Sequence, residues 1–120
     1  MLDQVEKHKG PACLVTIGLG DKFFSSGFDL KFWKNNGVDL IESTMRMQAL
    51  YARMLLLGVP TLCVINGHCL AAGLLLALCH DFRVTSKAAI LSLPEINVGL
   101  PLPPSYAAIV SNTLSMKAAK

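Results

Sequence analysis

A chain of 120 residues is long enough for one domain and too short for several. A formal charge of +3 with no dominant Lys/Arg block leaves no basic face for the phosphates of DNA or RNA; Lys7, His8 and Lys9 read as a solvated helix end. The apolar run at 70–78 is too short before His80 and Asp81 to span a membrane, and Asp3, Glu6, Lys7 and Lys9 interrupt any secretory signal pattern.

In chain order, residues 2–8 read as the end of a helix that Gly10 and Pro11 stop. The apolar run ACLVTI (12–17) is a strand, and KFFSSGFDL (22–30) is a second strand ending in a Gly-assisted turn at Ser25, Ser26 and Gly27. DLKFWKNNG is a short helical or irregular loop that Asn35, Asn36 and Gly37 break off. Asp39 caps the next helix, with Glu42 three residues on in a capping-box arrangement. Ile41, Met45, Leu50, Met54 and Leu57 fall roughly on one face, which reads as core. Gly58 and Pro60 stop this helix.

The stretch 61–82 organises the rest. It reads as a buried strand (TLCVI), a tight turn at Asn66 and Gly67, and a buried helix over 70–79. A strand over 82–86, a short strand over 89–93, the PEINVG loop and a last helix after PLPP complete the chain. This alternation predicts an α/β domain with a mainly parallel sheet and helices against it. Cys13, Cys63, Cys69 and Cys79 lie in or beside apolar runs with no close CxxC pair. They read as reduced core thiols of an intracellular protein, against a minor metal or redox alternative.

Two turns and one carboxylate are the chemical candidates. Ala71, Ala72 and Gly73 put small residues at a helix's first turn, where unpaired amides either meet an anion or merely permit close packing. The Ser25-Ser26-Gly27 turn follows another strand, and two such turns are able to hold one developing oxyanion from different sides. Glu95, between Pro94 and Ile96, sits in an apolar context that would desolvate a carboxylate and strengthen it as a base; an exposed loop glutamate is the plainer reading. His68 reads as a turn-stabilising or pocket-wall residue rather than an acid or base. His80 and Asp81 are expected to tie the helix end to the next strand.

SSGFDL, NGHCLAAG and LPEINVGLPLP together resemble the enoyl-CoA hydratase/isomerase (crotonase) superfamily, in its block order and along almost the whole chain. The resemblance implies an α/β fold that is part of a crotonase-like ββα spiral core over 1–120, lacking the initial strands and the C-terminal helices. The chain is accordingly expected to be a piece of a longer protein or a shortened product, with a complete small domain as the alternative. It implies Glu95 as the proton-transferring carboxylate and the amides of Phe28 and Ala72 as the oxyanion donors. It also implies substrate contacts at Ser26, Gly27, Lys31, Gly67, His68, Ala71, Gly73 and Leu75, with Asp29 steadying the first turn. Phe32, Trp33, Met45, Leu50 and Leu75 are candidates for an acyl pocket or for core, and Lys22 and Lys31 for coenzyme A phosphates.

One departure narrows the activity. Hydratases of the family resemble GGGCEL where this chain reads AAGLLL, so Leu75 stands in place of a water-activating Glu. A single base is able to move a double bond. The resemblance therefore implies a Δ3,Δ2-enoyl-CoA isomerase of the plant-like peroxisomal type, moving the double bond of 3-enoyl-CoA. A hydratase, a thioesterase or other acyl-CoA enzyme, and a noncatalytic binding or structural subunit stay open. The partner implied is a fatty acyl-CoA thioester, with coenzyme A part of the substrate and no separate cofactor or metal. A homotrimer or hexamer is expected when full length, in the peroxisome or alternatively the mitochondrion.

Overall fold

A computed structural model describes residues 1–37, 39–115 and 117–118. The chain opens with α1 (Leu2–Lys7), then β1 (Leu14–Ile17), β2 (Phe23–Ser25), α2 (Leu30–Asn36) and α3 (Leu40–Leu55). It continues with β3 (Thr61–Ile65), β4 (His68–Leu70), α4 (Ala72–Leu78), β5 (Phe82–Thr85) and β6 (Leu91–Ser92). A 3₁₀ turn (Glu95–Val98) and α5 (Pro104–Thr113) follow.

The strands form two separate three-stranded sheets, ordered β1-β3-β5 and β2-β4-β6, with every pairing parallel. Successive strand pairs each place one strand in either sheet, and helices carry the chain on to the next pair. That winding is the ββα spiral implied by the resemblance; the single sheet expected from alternation alone is corrected to two. The missed element is β4, where a turn leading straight into a helix was expected. Three residues show no periodicity, and β4 is held from outside its own segment. His68 N–H donates to the Lys22 carbonyl at 2.9 Å and Cys69 N–H to the Ile90 carbonyl at 2.9 Å.

The core lies between the first sheet and the helices. Leu14, Cys63 and Ile65 are buried with Tyr51 and Met54 of α3, Leu74, Leu75 and Leu78 of α4, and Tyr106 and Val110 of α5. On α3 the expected face needs correction, because Ile41 and Met45 are 72% and 64% exposed. With 3.6 residues per turn, Met45 stands about 180° around the helix from Met54. The buried stripe is Met47, Leu50, Tyr51 and Met54. Cys13 is also exposed, unlike the other three cysteines. Burial pushes the Cys63 and Cys79 thiols up to about 11 and Cys69 to about 12, which keeps them protonated and unreactive.

Helix ends are tied down locally. Asp39 accepts from Ile41 N–H at 2.8 Å, but Glu42 pairs with Arg46 at 3.3 Å, so only half of the expected capping box is made. Asp29 caps α2 by accepting from Phe32 N–H at 2.9 Å. Arg53 of α3 holds α1 through Asp3 and Glu6. Asp81 accepts from the Thr61 amide and hydroxyl, each at 2.8 Å, while His80 bonds the Leu76 carbonyl and the Thr16 hydroxyl, each at 2.9 Å. The end of α4 is thus tied to β3 and β1.

Candidate active site

The two candidate turns touch. Gly27 has φ +89, and a Cβ built there would lie 2.8 Å from the Ala71 Cβ and 3.3 Å from the Ala72 nitrogen. Only glycine fits the backbone and the space together. One layer deeper, a Cβ on Gly73 would lie 2.5 Å from the Ser25 Cβ, so α4 packs directly on the end of β2. Ser25 closes its own turn by accepting from Gly27 N–H through its hydroxyl at 3.2 Å.

Ala71 takes φ 52 and ψ −131, a conformation that L side chains rarely adopt. Strain of this kind costs about 1–3 kcal/mol and persists only where surrounding bonds over-determine it. They do so here. Ala71 N–H donates to the Ser92 carbonyl at 2.9 Å, the Ala71 carbonyl accepts from Leu74 N–H at 2.9 Å, and the Tyr51 hydroxyl donates to the Ala72 carbonyl at 2.9 Å. Among the described residues, neither Phe28 N–H nor Ala72 N–H donates to a protein acceptor.

A cavity of about 290 Å³ opens beside these turns, lined by Ser26, Phe28, Ala71 and Ala72 together with Glu95 and Tyr106. Leu30, Trp33, Leu40 and Leu100 make it largely apolar, and the Phe28 and Trp33 rings lie 4.4 Å apart between centroids. Glu95 opens the 3₁₀ turn that Gly99 closes at φ 72, and the Glu95 carbonyl accepts from Leu100 N–H at 3.0 Å. Its side-chain Oε2 is buried without a hydrogen-bond partner among the described residues, and so is the Tyr106 hydroxyl. Tyr106 stands edge-on to Tyr51 with centroids 5.5 Å apart. Burial, and then the nearby Glu95 carboxylate, push the Tyr106 phenol up from its ordinary value.

Of the residues singled out from sequence, the fold brings Ser26, Phe28, Ala71, Ala72 and Glu95 to one cavity, with Gly27 at the contact between the turns. It leaves others elsewhere. Leu75 is fully buried in the core, Gly73 is a packing position, and Lys31 is exposed outside the cavity lining. Gly67, His68 and Lys22 border a separate depression of about 160 Å³. There His68 Nδ1 accepts from Ile90 N–H at 3.1 Å, the turn-stabilising option. Phe32 and Met45 are exposed and Leu50 packs on the core, so Trp33 alone of the five acyl-pocket candidates reaches the cavity. Tyr106 was missed, and the only sequence signal for it is the Pro103-Pro104 pair that starts α5 and sets Tyr106 in its first turn.

The family model for enoyl-CoA hydratase/isomerase matches residues 1–120. The chain is 38% identical over 102 residues to Enoyl-CoA delta isomerase 3 of Arabidopsis thaliana, covering 81% of this chain and 42% of that protein. It is 31% identical over 127 residues to Enoyl-CoA delta isomerase 2, peroxisomal, of the same plant, covering 100% of this chain and 53% of the relative. Among solved structures, Pseudomonas aeruginosa DspI superposes with a TM-score of 0.85 at 27% identity, covering 99% of this chain and 46% of that one. The chain spans about half the length of the relatives it matches.

Proposed function

The chain belongs to the enoyl-CoA hydratase/isomerase family, and from that membership we propose that its cavity is the site of a Δ3,Δ2-enoyl-CoA isomerase. A 3-enoyl thioester sets its carbonyl oxygen on the amides of Phe28 and Ala72. Glu95 takes a proton from the α-carbon, leaving a dienolate, and returns it to the γ-carbon to give the 2-trans-enoyl thioester. Each backbone donor contributes roughly 3 kcal/mol to holding the developing oxyanion. Ala72 offers its backbone, so a methyl side chain at this position does not interfere with donation.

One observation carries this reading: among the described residues, Glu95 is the one carboxylate lining a cavity that both turns also border, while Leu75 is apolar and buried. Double-bond migration needs one base that gives back what it takes, whereas water addition also needs the water held. The names of the Arabidopsis relatives support the same class. Coenzyme A enters as part of the substrate, with no separate cofactor. We propose a homo-oligomer for the full-length protein, and the peroxisome as its compartment, on the name of a peroxisomal relative. A mitochondrial hydratase relative keeps the mitochondrion as the alternative, which imaging of the full-length protein decides.

The test is Glu95→Gln in the full-length protein, assayed on 3-hexenoyl-CoA. Turnover is expected to fall by about 100-fold or more, the scale of general acid–base catalysis. Acyl-CoA binding by calorimetry is expected to persist, and unchanged turnover would sink the assignment.

A further inference from the structure

Tyr51 and Tyr106 stand edge-on with centroids 5.5 Å apart, yet their hydroxyls have different fates. That of Tyr51 donates to the Ala72 carbonyl, whereas that of Tyr106 is buried without a partner among the described residues. Buried polar groups are ordinarily satisfied, and a phenylalanine would pack on Tyr51 with no hydroxyl to satisfy. Tyr106 is 6% exposed and lines the cavity. The other polar residues of that lining are differently placed. Thr44 donates its hydroxyl to the Leu40 carbonyl at 2.8 Å, Ser26 and Asn97 are exposed, and Glu95 is the base of the proposed isomerisation. Among the described residues, the Tyr106 phenol is thus the buried polar group of the lining that neither the fold nor the reaction uses. Its raised phenol stays protonated at neutral pH, so what it offers a ligand is an O–H.

A plain alkyl chain drawn into this largely apolar cavity would shut the phenol off from water with nothing to accept its proton. A site with a buried donor discriminates against the ligand that lacks the acceptor. We propose that the site takes acyl thioesters whose chain carries its own oxygen, a carbonyl or a hydroxyl, and that this oxygen accepts from the Tyr106 hydroxyl. The inference rests on the reading of this cavity as an enoyl-thioester site and names the acyl class within it. The thioester oxygen is already assigned to the Phe28 and Ala72 amides, and Glu95 meets the α- and γ-carbons. The oxygen that Tyr106 reads therefore belongs to the chain beyond the γ-carbon. Tyr106 determines specificity here and exchanges no proton in the isomerisation.

The experiment measures, by calorimetry on the full-length protein, the affinity for hexanoyl-CoA, 5-oxohexanoyl-CoA and 6-hydroxyhexanoyl-CoA. At least one oxygenated ligand is expected to bind roughly five- to tenfold more tightly than hexanoyl-CoA, the scale of one neutral hydrogen bond. Tyr106→Phe is expected to erase that preference, gaining on hexanoyl-CoA while losing on the oxygenated ligand. Equal affinity of the wild type for all three, or binding of none, overturns the proposal. A preference that survives in Tyr106→Phe overturns it too, because the oxygen is then read elsewhere. Turnover of 3-hexenoyl-CoA separates the two readings. Isomerisation without the preference leaves the isomerase standing and removes this proposal, whereas a Tyr106-dependent preference without isomerisation does the reverse. If Tyr106→Phe does not fold, a crystal of the wild type with the tighter oxygenated ligand decides. A chain oxygen within hydrogen-bond distance of the Tyr106 hydroxyl supports the proposal, and one placed elsewhere overturns it.

Discussion

Tyr51 is 1% exposed, and its hydroxyl reaches across the core to the Ala72 carbonyl. Burial pushes its phenol up, so the group is a permanent donor at neutral pH. The bond matters because Ala71, one residue earlier, is held in a strained conformation. Tyr51→Phe keeps the ring and its packing on Tyr106 but leaves a buried carbonyl short of a partner. We expect a stability loss of about 1–2 kcal/mol in urea denaturation. On the proposed isomerase reading, kcat of the full-length protein on 3-hexenoyl-CoA should fall more than KM rises, since the lost bond adjoins the proposed Ala72 donor and not the acyl chain. A variant of wild-type stability and activity would show that the turn holds itself.

At the scale of elements, the ends of the helices carry the clearest differences between neighbouring charged residues. Asp39 makes the cap of α3 and Glu42 does not, so Asp39→Ala should cost about 1 kcal/mol and Glu42→Ala no more than about 0.5 kcal/mol. Paired thermal melts distinguish the two, and equal losses would mean that Glu42 completes the capping box in solution. The C-terminal end of α4 depends on pH. Burial chiefly lowers the pKa of His80 from its usual 6.5, although the Leu76 carbonyl and the Asp81 charge pull the other way. A donor at Nδ1 for Leu76 leaves Nε2 to accept from the Thr16 hydroxyl, an arrangement that requires the neutral ring. The unfolded chain therefore binds the proton more readily than the folded one. The stability that His80 contributes is present above about pH 6.5 and is lost as pH falls through its lower folded-state value. Asp3, Glu6 and Asp81, all held below the usual carboxylate range, add a further loss only in more acid solution. Urea midpoints should fall on acidification from about pH 7.5 to about pH 5.5. His80→Gln should flatten that slope, and an unchanged slope would exclude His80 as its source.

For the molecule as a whole, the accessible surface is 8277 Å², about 2,000 Å² more than the roughly 6,300 Å² of a monomer of this mass. The radius of gyration of 14.7 Å also exceeds the roughly 13.6 Å of a compact domain. Part of the excess is one face of the first sheet. Val15 stands in register with Leu62 and Phe82, and Ile17 with Val64 and Val84, making two apolar rows across three strands. Val15, Ile17, Phe82 and Val84 are each more than half exposed. Apolar area on this scale favours association. The 120-residue chain is expected to elute as concentration-dependent oligomers, and Phe82→Lys with Val84→Lys to shift it towards monomer. Monomeric behaviour of the unsubstituted chain at every concentration would refute the expectation.

What the sequence determined by itself is what neighbouring residues decide. Thr61–Ile65 is a strand closed by Asn66 and Gly67, Gly58 and Pro60 stop α3, and Asp39 caps it, all through bonds or sterics reaching a few residues. The resemblance of three short blocks to a known family marked Ser26, Phe28, Ala71, Ala72 and Glu95, which share the cavity, and also Gly67, His68, Gly73 and Leu75, which do not line it. Only the tertiary structure decided the rest. The second sheet needed partners from far along the chain, since His68–Leu70 becomes a strand by bonding between β2 and β6. The exposure of Met45 followed from which side of α3 met the core. The arrival of Tyr106 beside Glu95 followed from α5 packing against α4 and α3, and His68 was carried to a different depression by the direction of β4. Turn chemistry is short-range, whereas burial and the company a side chain keeps are set by surfaces that meet only once the chain has folded.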